Sequence, residues 1–222
     1  AMRGHPGESS WHSTVFLKGL GGTYVEDIKN GEYYPTLDTE AAIASTELYA
    51  DLLANYSISG AVNSKYDQVV IAMQQGNVAI AMEGAPLGGR ILHPDQSLVR
   101  GKVGFRVVPG GPGGTHPAFT GHGFAINNAS RNKEAAWLFM QWSNSFETTK
   151  KIALSSNHIA VHRNSLWEDE DFREKWNLPG EGDFLATFQE SLNLGDPDYR
   201  PRINGWAEVN SVYGNGLQQV MV

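Results

Sequence analysis

The sequence predicts an α/β protein. Amphipathic stretches of helical period, short continuous apolar runs of strand length, and the mixing of the two along the chain carry that reading. With 222 residues, 41 % of them apolar and 18 % charged, the chain can bury a core as one large domain or two modest lobes.

Residues 14 to 28 mix apolar side chains with the turn signal "GLGG". "NGEYYPTLD" (30 to 38) reads as a turn and a short extended piece. Asp38 or Thr39 caps a helix over roughly 39 to 55, where Ala44, Leu48 and Leu52 recur at four-residue spacing and mark a buried stripe. Ser64-x-x-Asp67 resembles a capping box and opens a second helix, with Val69, Val70 and Met73 facing inward and Gly76 ending it. "VAIAM" (78 to 82) suits a strand buried on both faces. "KVGFRVVPG" (102 to 110) and "FTGHGFAI" (119 to 126) read as two more strands. Ser130 caps a strong helix whose apolar face is Ala135, Leu138, Phe139 and Trp142, which places Trp137 and Trp142 in the core. Ser145 restarts a shorter helix through Ile152 and Leu154, and residues 157 to 164 look extended. Helices near 165 to 176 and 183 to 193 follow, with Trp167 and Trp176 as half-buried surface anchors. "GDPDYRPRIN" (195 to 204) is irregular, and a last helix starts near Trp206, weakened by Gly214 and Gly216.

Composition excludes several functions. Net charge is −7 and no long basic run appears, so nucleic acid is not the expected partner. Cysteine is absent, which removes disulfides, thiolate chemistry and Cys-ligated zinc. No apolar stretch approaches the ~20 residues that span a bilayer. "VPGGPGGTHPAFTGHGFAI" (108 to 126) holds six glycines, but no Lys lies within it and a strand, not a helix, follows, so it is no phosphate-binding loop. Gly121-x-Gly123 lacks the third glycine of a dinucleotide site. The plain reading is a loose surface connection; the sharper one is a crossing between lobes. His158-x3-His162 has metal-ligand spacing, but on an extended segment without the Glu of His-Glu-x-x-His. No metal or other cofactor is expected.

"GKVGFRVVPGGPGG" followed by "GHGFAINNASRNKEAAWLFMQWSNSFETTKKIAL" resembles the extracellular solute-binding proteins of family 1, the sugar-binding components of ABC importers. "YDQVVIAMQQGNVAIAMEG" (66 to 84), "RPRINGWAEVNSVYGNGLQQ" (200 to 219) and "RGHPGESSWHSTVFLKGLGG" (3 to 22) resemble further segments of the same family in the same order. Phe146 stands where the family's second helix carries Pro. The resemblance implies a periplasmic-binding-protein-like fold of type II, two α/β lobes joined by a hinge. The first ~100 residues of such a protein are missing, an estimate consistent with a two-lobed whole larger than one domain. Residues 1–107 and 158–222 then belong to the C-terminal lobe and 108–157 to a hinge crossing and a strip of the N-terminal lobe, with the glycines at the crossing. The chain ends on the apolar helical stretch "LQQVMV", so a fragment cut at both ends is expected, whose strand edges a second copy or a lost segment would cover.

A sugar offers C–H faces to aromatic rings and hydroxyls to polar side chains. The resemblance points to Trp11 and Trp206 as stacking platforms and to His122, flanked by Gly121 and Gly123, as a cleft contact where the family often has Trp. Glu83 and Gly84 end the buried run at the binding-site turn, and Glu8, Ser9 and Ser10 supply further polar contacts. Arg200 and Arg202 bind hydroxyls or a carboxylate, or form surface ion pairs. The implied function is capture of a sugar or polyol for an ABC permease, in the periplasm or as a membrane-anchored lipoprotein. A glycoside hydrolase using Glu83 and Glu8 is the enzymatic alternative.

Overall fold

Residues 1–26, 28–157, 159–177 and 184–221 are described by a computed structural model. Helix α1 (Ser10–Gly19) is the one long element for which the sequence gives no periodic apolar signal. Its buried side chains are mostly small and polar, among them Ser10, Ser13 and Thr14, beside Val15 and Leu17. Helix α2 (Glu40–Tyr56) starts as expected, with the Thr39 side chain accepting from the Ala42 amide at 3.4 Å. Its inward stripe is Ala42, Ser45, Tyr49 and Leu53 rather than Ala44, Leu48 and Leu52. Tyr49 sets the rotation, because its ring is fully buried and its hydroxyl donates to the Arg3 carbonyl.

Helix α3 (Tyr66–Gln74) begins one residue later than the Ser64 box implies: Lys65 is the N-cap and its amide donates to the Gln68 side chain at 3.0 Å. Val69 and Val70 are fully buried as predicted, and Gly76 ends the helix with φ +71°. After the short α4 (Gly88–Ile91) come α5 (Lys133–Ser143) and α6 (Phe146–Ser155). Ser145 caps α6 by accepting from the Thr148 amide. Asn132, not Ser130, precedes α5, and its amide donates to the Ser130 hydroxyl at 3.2 Å. The expected helix at 165 to 176 is two, α7 (Asn164–Trp167) and α8 (Glu170–Trp176), because the Asp169 carboxylate caps a fresh start at the Phe172 amide. Helices α9 (Phe184–Asn193) and α10 (Trp206–Val220) follow. Gly214 on α10 is no weak point: a Cβ there would lie 2.0 Å from the Pro6 carbonyl oxygen, so glycine is what lets the helix meet the chain's start.

Three buried clusters result among the described residues, the smallest being Leu17, Tyr24 and Ala42 with Trp206 and Tyr213 packed against it. The largest gathers Val70, Leu87, Ile91 and Leu92 with Leu166, Trp167, Phe172, Trp176, Phe184 and Phe188. Trp167 and Trp176 are 8 % and 3 % exposed, so they are core residues and not surface anchors. The indole N–H of Trp176 donates to the Ala153 carbonyl, which satisfies its polar tip. The second cluster joins α2 and α10 through Tyr49, Leu53, Ala61 and Leu217, with Phe16 of α1 packed against it.

None of the three expected runs forms a regular strand. Among the described residues the one sheet is the antiparallel pair β1 (Val25–Glu26) and β2 (Tyr34–Pro35). A strand needs a neighbour to pair with. The run 78 to 82 has one in part: the Met82 amide donates to the Ala1 carbonyl at 3.0 Å and the Ala1 amine to the Ile80 carbonyl at 2.5 Å, the alternation of parallel pairing. Ile80 itself is 78 % exposed, so this run is not buried on both faces. Phe119 and Phe124 in the third run are exposed as well. On α5, Trp137 and Trp142 are 53 % and 61 % exposed beside exposed Leu138 and Phe139, against the expectation of core.

The glycine-rich turn is tightly packed, not loose. Gly111 and Gly114 exchange amide-to-carbonyl bonds at 3.0 and 2.9 Å, and the Gly113 amide donates to the Gly19 carbonyl at the end of α1 at 2.8 Å. A Cβ on Gly111 or Gly113 would come within 2.4 Å of the Gly19 or Lys18 carbonyl oxygen. Lys18 ties the same end to the 195 to 204 segment through Asp196 at 2.5 Å and the Asp198 carbonyl at 2.8 Å.

Candidate functional site

The first turn of α1 and the irregular 195 to 204 segment bring three candidates together, Ser10, Trp11 and Arg200. The Arg200 guanidinium lies over the Trp11 indole, 3.5 Å from the ring centroid, and its Nη1 donates to the Ser10 hydroxyl at 3.2 Å. Tyr199 stacks offset on Trp11, with centroids 6.4 Å apart and planes at 16°, and its hydroxyl donates to the Trp11 carbonyl at 2.6 Å. Burial lowers the Arg200 pKa, with the neighbouring Tyr24 and Tyr199 opposing that shift. Trp206, at the start of α10, meets the same region through Tyr24, edge to face at 5.1 Å. Tyr24 also packs on Tyr213, and its hydroxyl shares a 2.6 Å bond with Thr14 on α1. Burial pushes the Tyr24 hydroxyl well above the ordinary tyrosine range, so it stays a neutral hydrogen-bonding group.

Glu8 and Glu83 belong to a second cluster, organised by Arg3. The Arg3 guanidinium makes a bidentate contact with Glu83, reaches Glu8 at 3.5 Å and lies over the Tyr66 ring at 5.5 Å. Glu8 also accepts from the Tyr66 amide at 3.3 Å. His12 of α1 completes it: its Nδ1 accepts from the Arg3 amide at 2.8 Å, and its Nε2 stands 3.9 Å from Glu83. Burial first, then the Arg3 charge and the terminal amine, hold the His12 pKa well below the usual range. The ring is therefore neutral, and its contact with Glu83 is not an ion pair.

The remaining candidates stand apart. Gly84 is exposed and donates its amide to the Glu83 carboxylate at 3.2 Å. Arg202 forms a surface pair with Asp198 at 2.6 Å. Gly121 and His122 are exposed on the extended 119 to 126 run, and no described contact carries His122 to Trp11 or Trp206. Two shallow hollows of about 420 and 290 Å³ lie elsewhere, one along α6 by Glu147 and Lys150, the other by Trp167 and Arg173. Both are open surface features, and the side-chain chemistry at Trp11 is the better guide to a site. His158 lies outside the described residues. Among the described residues no cluster of three or more His, Asp or Glu could hold a metal, and no helix is long and apolar enough to cross a membrane.

Sequence reasoning missed Arg3, His12, Tyr24 and Tyr199. Tyr199 and Arg200 are neighbours in "DYRPR", and an aromatic beside an arginine in a Pro-bounded loop was the available signal. Arg3, His12 and Tyr24 left none, because their roles come from long-range packing.

Residues 1–148 match the family model described as bacterial extracellular solute-binding protein. A Sinorhizobium fredii relative named as an amino-acid ABC transporter periplasmic-binding protein is 25 % identical over 140 residues, covering 63 % of this chain and 30 % of that one. A binding protein of Brucella abortus is 22 % identical over 201 residues, covering 89 % and 46 %. Two solved ABC transporter solute-binding proteins superpose on all of this chain: one from Agrobacterium radiobacter K84 in complex with ribitol (TM-score 0.84, 24 % identity, 54 % of that chain), one from Agrobacterium vitis S4 with D-mannitol (0.80, 18 %, 55 %). The fold is thus that of periplasmic solute-binding proteins, and the chain spans about half the length of these solved structures and less than half of the curated relatives.

Proposed function

Because this chain belongs to the bacterial extracellular solute-binding protein family, we propose that it forms one wall of a site that captures a sugar or polyol for an ABC importer outside the cytoplasmic membrane. The observation that carries the reading is the grouping of Trp11, Ser10 and Arg200 at the head of α1, with Trp206 joined to it through Tyr24. An indole edge, a guanidinium fork and hydroxyls suit the alternating C–H and O–H surface of a polyhydroxylated chain. Ribitol and D-mannitol in the structural neighbours are ligands of that class. The division into 1–107 and 158–222 as one lobe, with 108–157 as crossing and strip of the other, is part of the proposal. The exposed apolar residues of α5 and of the 119 to 126 run support it; in this reading His122 lies on the far side of a cleft that closes on ligand. Glu8, Glu83 and Gly84 then form a wall beside the site.

Capture rather than catalysis is the reading for this wall. A glycosidase needs two carboxylates free to protonate and attack, and here Glu8 and Glu83 share the Arg3 guanidinium.

Titration calorimetry with D-mannitol and ribitol tests the assignment. Trp11→Ala and Trp206→Ala are each expected to weaken binding more than tenfold in the intact protein that carries both walls of the cleft. Unchanged isotherms for both variants would remove these residues from the site.

A further inference from the structure

We propose that Arg200 makes this site select a polyhydroxylated ligand that carries a carboxylate, a sugar acid in preference to the neutral polyol. This rests on the solute-binding reading above and narrows it.

The setting of Arg200 against the arginines that meet carboxylates carries the inference; Arg163 and Arg173, which also lack a carboxylate among the described residues, donate to the Asn144 and Trp167 carbonyls and lie away from Trp11. Arg3 is paired with Glu83 and Glu8, Arg90 with Asp67, and Arg202 with Asp198. Arg200 is half-buried and has no carboxylate partner among the described residues; its one described hydrogen bond goes to the neutral Ser10 hydroxyl. A guanidinium removed from water without a counter-ion is costly, and the burial that lowers its pKa expresses the same cost. It stays protonated all the same. The Trp11 face at 3.5 Å and the Ser10 hydroxyl fix its plane. Of its five N–H donors, one is engaged, and the rest form the fork that matches a carboxylate bidentately. Position and chemistry therefore await an anion beside the aromatic platform.

A carboxylate fits better than a phosphate. A phosphate monoester brings between one and a half and two negative charges to a chain of net charge −7. Arg3 and Arg202 are already committed to their own carboxylates. One free guanidinium balances one carboxylate.

The intact protein, with both walls of the cleft, is titrated at low ionic strength with D-mannitol, with D-mannonate (the same carbon skeleton with one terminal carbinol oxidised to carboxylate) and with D-mannitol 1-phosphate. The expected result is D-mannonate at least tenfold tighter than either of the others. Arg200→Gln is expected to remove that preference, bringing D-mannonate and D-mannitol within twofold of each other. Arg200→Lys, which keeps the charge but not the fork, is expected to keep only part of it. D-mannitol binding as tightly as D-mannonate would overturn the inference and leave the solute-binding reading intact. The phosphate binding tightest would overturn the choice of carboxylate. An equal loss of both ligands in Arg200→Gln and Arg200→Lys would make the arginine a general scaffold and overturn selection. Binding of none of the three would overturn the solute-binding reading for this chain and the inference with it.

Discussion

Four of the six tryptophans form two pairs whose fates are the reverse of what their sequence settings suggest. Trp137 and Trp142 sit on α5, whose apolar face is well marked in the sequence, and both are more than half exposed. Trp167 and Trp176 sit among charged residues on α7 and α8 and are nearly inaccessible. Amphipathic spacing declares that a face wants cover. It does not say where the cover comes from. For α7 and α8 it comes from α9, where Trp167 meets Phe188 edge to face at 5.2 Å and Trp176 meets Phe184 at 6.3 Å. For α5 the described aromatic neighbours are its own Trp142 and the equally exposed Phe124. An apolar surface of this kind marks a place built for further contact.

Truncation of the covered region should have the largest effect. Phe172→Ala, in the fully buried ring between α7 and α8, is expected to cost ~3–5 kcal/mol, read as a large fall in the urea midpoint at unchanged slope. A loss below about 1 kcal/mol would break the claim that this region holds the fold. Gly214→Ala probes the junction of α10 with the chain's start. Forcing a methyl against the Pro6 carbonyl should cost about 1–3 kcal/mol, checked by thermal unfolding; an unchanged melting temperature would mean that the contact relaxes freely.

His12 gives a smaller and pH-dependent effect. It is neutral in the folded protein, whereas an unfolded histidine takes a proton near pH ~6.5. Below that pH the unfolded state binds more protons, so stability should fall as pH falls, by up to about 1.4 kcal/mol per pH unit. Urea midpoints across that interval, compared with His12→Gln, isolate the contribution; parallel profiles for the two proteins would remove His12 as its source. The smallest effect is expected on α5. Trp137→Gln and Trp142→Gln should each change stability by no more than ~0.5 kcal/mol and should raise solubility. A loss as large as that of Phe172→Ala would show that α5 is covered after all.

Local rules were legible and partnerships were not. Caps at Thr39 and Ser145 follow from side chains acting on their own backbone. Helix α1 was hidden because serine and threonine line much of its buried face, leaving no apolar period to count. The runs at 78 to 82 and 119 to 126 have strand composition, but strandhood is a property of a pair of segments. At the site the same limit divides Arg200 from Arg202. Two residues apart in one motif, they look alike until packing puts one on an indole and the other in water beside Asp198. Trp11, Ser10 and Trp206 were reachable through family resemblance, while Arg3 and Tyr24 depend on contacts between distant segments.

The turn at Gly110 to Gly114 grips the end of α1 through the Gly113 amide on the Gly19 carbonyl, main chain to main chain. The His116 ring, hydrogen-bonded to the Gly113 carbonyl at 2.9 Å and 3.5 Å from Asp196, backs that grip from outside the turn. Substitution of His116 can loosen this support without removing the main-chain bond itself. The turn's own demand is smallness: neighbouring positions can drift in sequence, but any branch added at Gly111 or Gly113 would prise the turn from the helix it holds.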